Sequence, residues 1–179
     1  MESTKQKQKT AFEAMKKEFG YKNKMAVPRV QKIIVSVGTG KKARADKKWN
    51  ELVSDRLSKI TGQKPAARGA KQSIASFKVR QGDTIGAQIT LRGARMFSFF
   101  DKLISVAIPR MRDFRGLDKN GIDEMGNFTI GIREHTIFPE TSDEDLSDVF
   151  GMAITFVTTA HSKNEAYVFF KHLGIPFKK

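Results

Sequence analysis

Residues 62–95 read GQKPAARGAKQSIASFKVRQGDTIGAQITLRGAR. From Ala75 every second residue is apolar, namely Ala75, Phe77 and Val79, and from Ile85 the same holds for Ile85, Ala87, Ile89 and Leu91. A strand sends alternate side chains to opposite faces, so the spacing predicts two neighbouring strands that each bury one face. The residues between them are Ser76, Lys78 and Arg80, then Gly86, Gln88, Thr90 and Arg92, a set rich in cations and hydrogen-bonding groups. Across the stretch Lys64, Arg68, Lys71, Lys78, Arg80, Arg92 and Arg95 stand against the single acid Asp83. A face of that composition suits a polyanion. Gly69 to Gln72 interrupts the alternation, which predicts an extended hairpin with a mobile basic tip.

The rest of the chain carries the same bias. Its 179 residues have a formal charge of +14 and a pI near 10.1, and a protein so basic is expected to have an anionic partner, nucleic acid first. Lys and Arg outnumber Asp and Glu by 23 to 7 over residues 1–100, against 10 to 12 over residues 101–179. From Glu134 to Asp148 there is no Lys or Arg, but there are Glu134, Glu140, Asp143, Glu144, Asp145 and Asp148. That segment is expected to form a separate acidic surface. The length suits one domain over residues 1–179. With no cysteine, disulfides and thiolate metal sites are excluded. No apolar run is long enough to span a bilayer, and the lysine-rich start lacks the features of a signal or transit peptide. A cytoplasmic protein with no membrane partner is expected.

Working outward, Ser3 and Gln6 have the spacing of a capping box, and Ala11, Phe12, Met15 and Phe19 make one stripe of a first helix that Gly20 ends. Val30 to Val37 reads as a strand with Ile33, Val35 and Val37 on one face. Asp46 caps a second expected helix, whose stripe is Trp49, Leu52, Val53, Leu57 and Ile60 and whose end is Thr61-Gly62. A third is predicted over Ala94–Ile108 and stopped by Pro109. A long charged loop runs from Arg110 to Asn127, of a length that is usually functional or disordered. Strands at Phe128–Ile132 and Met152–Thr159 follow, and a last helix is capped by Ser162 and Glu165. The predicted order α-β-α-β-β-β-α-β-β-α describes an α+β fold, an antiparallel sheet with helices packed on one face and an open basic face on the other.

Catalytic patterns are missing. Gly38-Thr39-Gly40-Lys41-Lys42 lies between a strand and a helix, but Val35 and Lys42 occupy the positions where a Walker loop needs Gly and Ser or Thr. The looser dinucleotide pattern lacks its acid at the end of a second strand, so a nucleotide-dependent enzyme is the weaker alternative. His135, His161 and His172 have no metal-ligand spacing. Nothing points to a cofactor or a small-molecule substrate. A general basic RNA-binding or RNA-chaperone module stays open as the other reading. Base stacking on the sheet is not expected, because Phe77 is assigned to the apolar face.

Several runs resemble one family. Ile60-Thr61-Gly62-Gln63-Lys64-Pro65, Phe77-Lys78-Val79-Arg80-Gln81-Gly82, Thr90-Leu91-Arg92-Gly93, the run from Pro109 to Leu117 (PRMRDFRGL), Gly131-Ile132-Arg133-Glu134 and Ile137-Phe138-Pro139-Glu140 look like the signatures of bacterial-type large-subunit ribosomal protein five, in its order and at its spacing. The resemblance implies a non-enzymatic protein of the central protuberance that holds 5S rRNA beside large-subunit rRNA. It also implies contact with peptidyl-site tRNA and a bridge to a basic protein of the small-subunit head. The family's 5S rRNA face matches Gln63, Thr90 and Arg92 here, with Ser36 standing where the family usually carries Asn, and the basic-sheet cations Lys32, Lys78 and Arg80 are expected to complete the rRNA-binding set. Gly69, Lys71, Gln72 and Ser73 match the tRNA-contact loop. Glu140, Asp143, Glu144, Asp145 and Asp148 match the small-subunit bridge.

Overall fold

The computed structural model describes residues 3–43, 48–141 and 148–178. The chain divides into two compact units. The first comprises Met1–Ile33, Leu91–Ile130 and Ile154–Lys179, and the second comprises Ile34–Thr90 and Gly131–Ala153. The described residues form helices α1 (Thr4–Phe19), α2 (Trp49–Thr61), α3 (Gly93–Lys102) and α4 (Lys163–Leu173). Strands β1 (Val30–Gly38), β2 (Ala66–Gly69), β3 (Thr84–Leu91), β4 (Phe128–Ile132) and β5 (Met152–Thr158) make one antiparallel sheet in the order β2-β3-β1-β5-β4. This is the α+β class expected from the sequence.

Local chemistry sets the element ends. Ser3 accepts from the Gln6 amide while the Gln6 side chain accepts from the Ser3 amide, so both arms of the capping box are made. Gly20 and Gly62 close α1 and α2 at φ 66° and 67°, left-handed values that cost glycine little. Ser162 Oγ accepts from the Glu165 amide, but Glu165 reaches back to the His161 amide at 2.7 Å, one residue earlier than a capping box requires. Asp46, expected to cap α2, lies outside the described residues.

In the first unit α1, α3 and α4 cover an aromatic core. Phe100, Phe128, Phe156, Phe169 and Phe170 are buried, and Phe100 meets Phe156 edge-on at 4.9 Å between ring centroids. Such pairs add about 0.5–1.5 kcal/mol beyond area burial. The predicted third helix changes its hydrogen bonding after Lys102, becoming a π turn over Leu103–Ala107 and a 3-10 turn over Ile108–Arg110. The loop from Arg110 is tied down: Leu117 is buried, its amide donates to Pro176 O at 2.8 Å, and its carbonyl accepts from the Lys178 amide at 2.9 Å.

The Tyr21 hydroxyl, also in this unit, donates to Glu165. Burial first, then that hydrogen bond and the carboxylate's charge, raise its pKa above the ordinary value of 10.0. The unfolded chain therefore loses this proton near pH 10 while the fold still holds it. The contribution is full below that pH and is lost as pH rises toward the folded value. In urea titrations the advantage of the native chain over Tyr21→Phe is expected to shrink above about pH 10. A constant difference would show that Tyr21 is not coupled to Glu165.

The second unit holds most of the basic stretch, and here one expectation fails. Residues 75–80 form no strand. Ala75–Phe77 is a 3-10 turn, Lys78 is left-handed at φ 49°, and Ile74 pairs with Val79 in an isolated antiparallel bridge. Ala75 and Phe77 are exposed rather than buried. The observed order is thus α-β-α-β-β-α-β-β-α. Three alternating apolar residues were too few to separate a strand from the arms of a tight loop. β2 instead comprises Ala66–Gly69, paired antiparallel with β3 so that Ala66 faces Gln88 and Arg68 faces Gly86. Gly86 lets β3 run close to β1, because a Cβ there would lie 2.9 Å from the Val37 carbonyl oxygen.

Candidate nucleic-acid interface

Burial alternates over residues 33–37 of β1 and over residues 87–91 of β3. Val35 and Val37 of β1 and Ala87 and Ile89 of β3 are buried, while Ser36, Gln88 and Thr90 are half-exposed. Gln63 follows the Gly62 cap of α2, and its Nε2 donates to the Thr90 carbonyl at 3.4 Å. Gln63 and Thr90, 27 residues apart in the chain, are thereby brought together. On neighbouring β2, Arg68 Nε donates to Gln88 Oε1 at 2.6 Å. Arg68 and Gln88 were absent from the sequence-derived binding set. Their signal was present, since both lie at outward positions of the paired strands. A groove of about 900 Å³ lies beside these residues, lined by Ser54, Ser58, Gln63, Lys64 and Ala67 among others.

The other members of the expected rRNA set are dispersed. Lys32 is half-buried on β1 and Arg92 is exposed just before α3, both in the first unit. Lys78 and Arg80 were expected on the sheet's outward face but sit in the loop between β2 and β3, because the strand that would have carried them does not form. The Arg80 amide donates to Asp83 at 2.8 Å.

That loop also carries the expected tRNA-contact residues. Gly69 ends β2, and Lys71, Gln72 and Ser73 are exposed. The Ala70 amide donates to Asp83 O at 2.9 Å, the Gly82 amide to Ala70 O at 3.0 Å, and the Gln81 amide to Ser73 Oγ at 2.9 Å. Lys71, Lys78 and Arg80 therefore belong to one hydrogen-bonded loop.

Of the acidic residues, Glu140 is exposed in a 3-10 turn, and Asp143, Glu144 and Asp145 lie outside the described residues. Asp148 is engaged from inside: its carboxylate is 3.8 Å from Arg56 Nη2, and its carbonyl accepts from Arg56 Nη1 at 3.2 Å. His135 is buried, stacked on Phe150 at 4.1 Å, with its Nε2 3.3 Å from Arg56 Nη1. The glycine turn after β1 does not offer its first amides to a phosphate, since those of Thr39 and Gly40 both donate to Ile85 O, at 2.8 and 3.1 Å. Among the described residues no group of three or more acids and histidines could hold a metal ion, and no helix is long and apolar enough to cross a membrane.

Comparison with known proteins places this α+β chain among the ribosomal proteins. The family model described as ribosomal protein L5 matches residues 23–80, and the model for the C-terminus of the same ribosomal family matches residues 84–177. The large ribosomal subunit protein uL5 of Carboxydothermus hydrogenoformans is 45% identical over 172 residues, 96% of this chain and 96% of that protein. The same-named proteins of Chlorobium luteolum and Flavobacterium johnsoniae are 48% and 49% identical, each over 93% of this chain and over 85% and 90% of their own lengths. The chain belongs to the ribosomal protein L5 family, whose members are not enzymes.

Proposed function

We propose that the chain, a cytoplasmic protein of the large ribosomal subunit, acts as a single domain that binds 5S rRNA beside the large-subunit rRNA. On this reading it also contacts peptidyl-site tRNA and helps bridge to a basic protein of the small-subunit head. The observation that carries the 5S rRNA assignment is the polar group of the second unit. Ser36, Gln63, Gln88 and Thr90 are half-exposed over a buried apolar layer, and Gln63 is fixed to β3 by its bond to the Thr90 carbonyl. Held on strands or, like Gln63, tied to one, such groups can match one RNA shape, whereas cations alone bind any phosphate backbone. Lys32 and Arg92 supply phosphate contacts. The loop bearing Gly69, Lys71, Gln72 and Ser73 reaches tRNA, and Lys78 and Arg80 join it there. Glu140, with Asp143, Glu144 and Asp145, supplies charge complementary to a basic neighbour, and Asp148 flanks them. Single exposed pairs of this kind contribute about 0–1 kcal/mol, so such a bridge would be weak and sensitive to salt.

Incubating the purified chain with total RNA tests the assignment. At moderate salt it is expected to retain 5S rRNA while releasing tRNA and a random hairpin. Equal retention of all three, and of heparin, would instead favour a general basic RNA-binding module.

A further inference from the structure

The misread strand leaves an apolar surface where none was expected. Phe77 is 60% exposed and Ile74 45% exposed, although both belong to a loop whose backbone is hydrogen-bonded. The Ile74 amide donates to Val79 O at 3.0 Å and the Lys78 amide to Ala75 O at 2.9 Å, and the left-handed turn at Lys78 leaves the neighbouring ring in solvent. With Lys41, Lys71, Val79 and Ile85 the two side chains line an open groove of about 580 Å³. Large exposed apolar groups on a fixed loop usually mark a contact surface.

We infer that Ile74 and Phe77, with Lys41, Lys71, Lys78 and Arg80 around them, form a platform on which an unpaired RNA base stacks. The inference rests on this loop being an RNA contact, as proposed above, and adds how the contact is made. Charge selects RNA over a protein partner. The loop's one acid, Asp83, accepts from the Arg80 amide, and every other charged side chain from Lys71 to Arg80 is cationic. Each nucleotide joins a flat ring to a phosphate, and this loop joins a flat ring at Phe77 to a cation at Lys78. A peptide offers that pairing only where an aromatic and an acid happen to adjoin. An unpaired base is required because a ring within a duplex is covered on both faces.

The test uses the full chain and a short single-stranded RNA carrying 2-aminopurine, with the same strand in a duplex as control. Native protein is expected to quench the probe. Phe77→Leu, which keeps apolar bulk but removes the flat ring, is expected to abolish the quench and weaken single-strand binding about 5- to 50-fold, with no change in salt dependence. Lys78→Ala is expected instead to flatten the slope of log affinity against log salt by about 0.7. Because Phe77 is exposed, its variant should melt like the native chain. If Phe77→Leu binds and quenches like the native chain while Lys78→Ala still changes the slope, stacking is wrong and the RNA contact stands. If neither variant differs from the native chain, the loop is no RNA contact and both readings fall. A loss on the duplex equal to that on the single strand would also overturn the platform.

Discussion

Arg56→Ala is expected to lower the unfolding free energy by about 2–3 kcal/mol. Arg56 is 7% exposed on the inner stripe of α2. Among the described residues its guanidinium meets His135 Nε2 at 3.3 Å, the Asp148 carbonyl at 3.2 Å and the Asp148 carboxylate at 3.8 Å. Truncation removes a buried donor set and its aliphatic stem while leaving the Asp148 carbonyl and carboxylate behind. Removing one member of a buried ion pair typically costs about 3–5 kcal/mol. Here the Asp148 side chain is 34% exposed, so water can recover part of its charge, and the lower range follows. Arg56→Lys keeps the charge without the planar fork and should recover only part of the loss. Urea unfolding of the three chains measures this. A loss for the alanine variant below about 0.5 kcal/mol, the level of an ordinary surface change, would show that the cluster contributes little. The consequence extends to function, since Asp148 ends the acidic run assigned to the bridge.

How far the chain could be read follows from where its signals are local. β1, β3, β4 and β5 alternate over enough residues for burial to follow the pattern, and Ile33, Val35, Ile89, Ile130 and Ile154 are all buried. Caps at Ser3 and Gly62 depend on neighbours within a turn and were equally legible. Residues 75–80 were not, because hydrogen bonds between the arms of a loop decided their path, and three alternating positions imitate a strand. Arg56 was missed for a different reason. Spacing places it on the stripe with Trp49, Val53 and Ile60, yet a cation is normally assigned to solvent. Its carbonyl acceptor lies 92 residues away, so no local pattern could show what offsets its burial. For the same reason Asp148 was grouped with the other acids of the expected acidic surface. In the candidate interface the residue types were visible, but Gln63 meeting Thr90 required the fold.

Thr90→Val should weaken binding to 5S rRNA by about 1–3 kcal/mol, or about 5- to 150-fold, while leaving the free protein unchanged. Thr90 is half-exposed between the buried Ile89 and Leu91. Valine has the same branched shape and suits a strand as well, so β3 should be undisturbed. Gln63 bonds the Thr90 backbone carbonyl rather than its hydroxyl, and that bond survives the change. Only the hydroxyl is lost, and its absence matters where an RNA group buried against it is left unpaired. No charge is removed, so the salt dependence should keep its slope. Lys32→Ala and Arg92→Ala should behave oppositely, each flattening the slope by about 0.9 per duplex phosphate contact and weakening a random hairpin as much as 5S rRNA. Lys78→Ala and Arg80→Ala, both loop changes, should leave 5S rRNA affinity nearly intact. Binding isotherms over a salt series with 5S rRNA and a random hairpin separate these outcomes. Equal losses for Thr90→Val on the two RNAs would mean that the polar group recognises no particular RNA, and that phosphate contacts alone hold it.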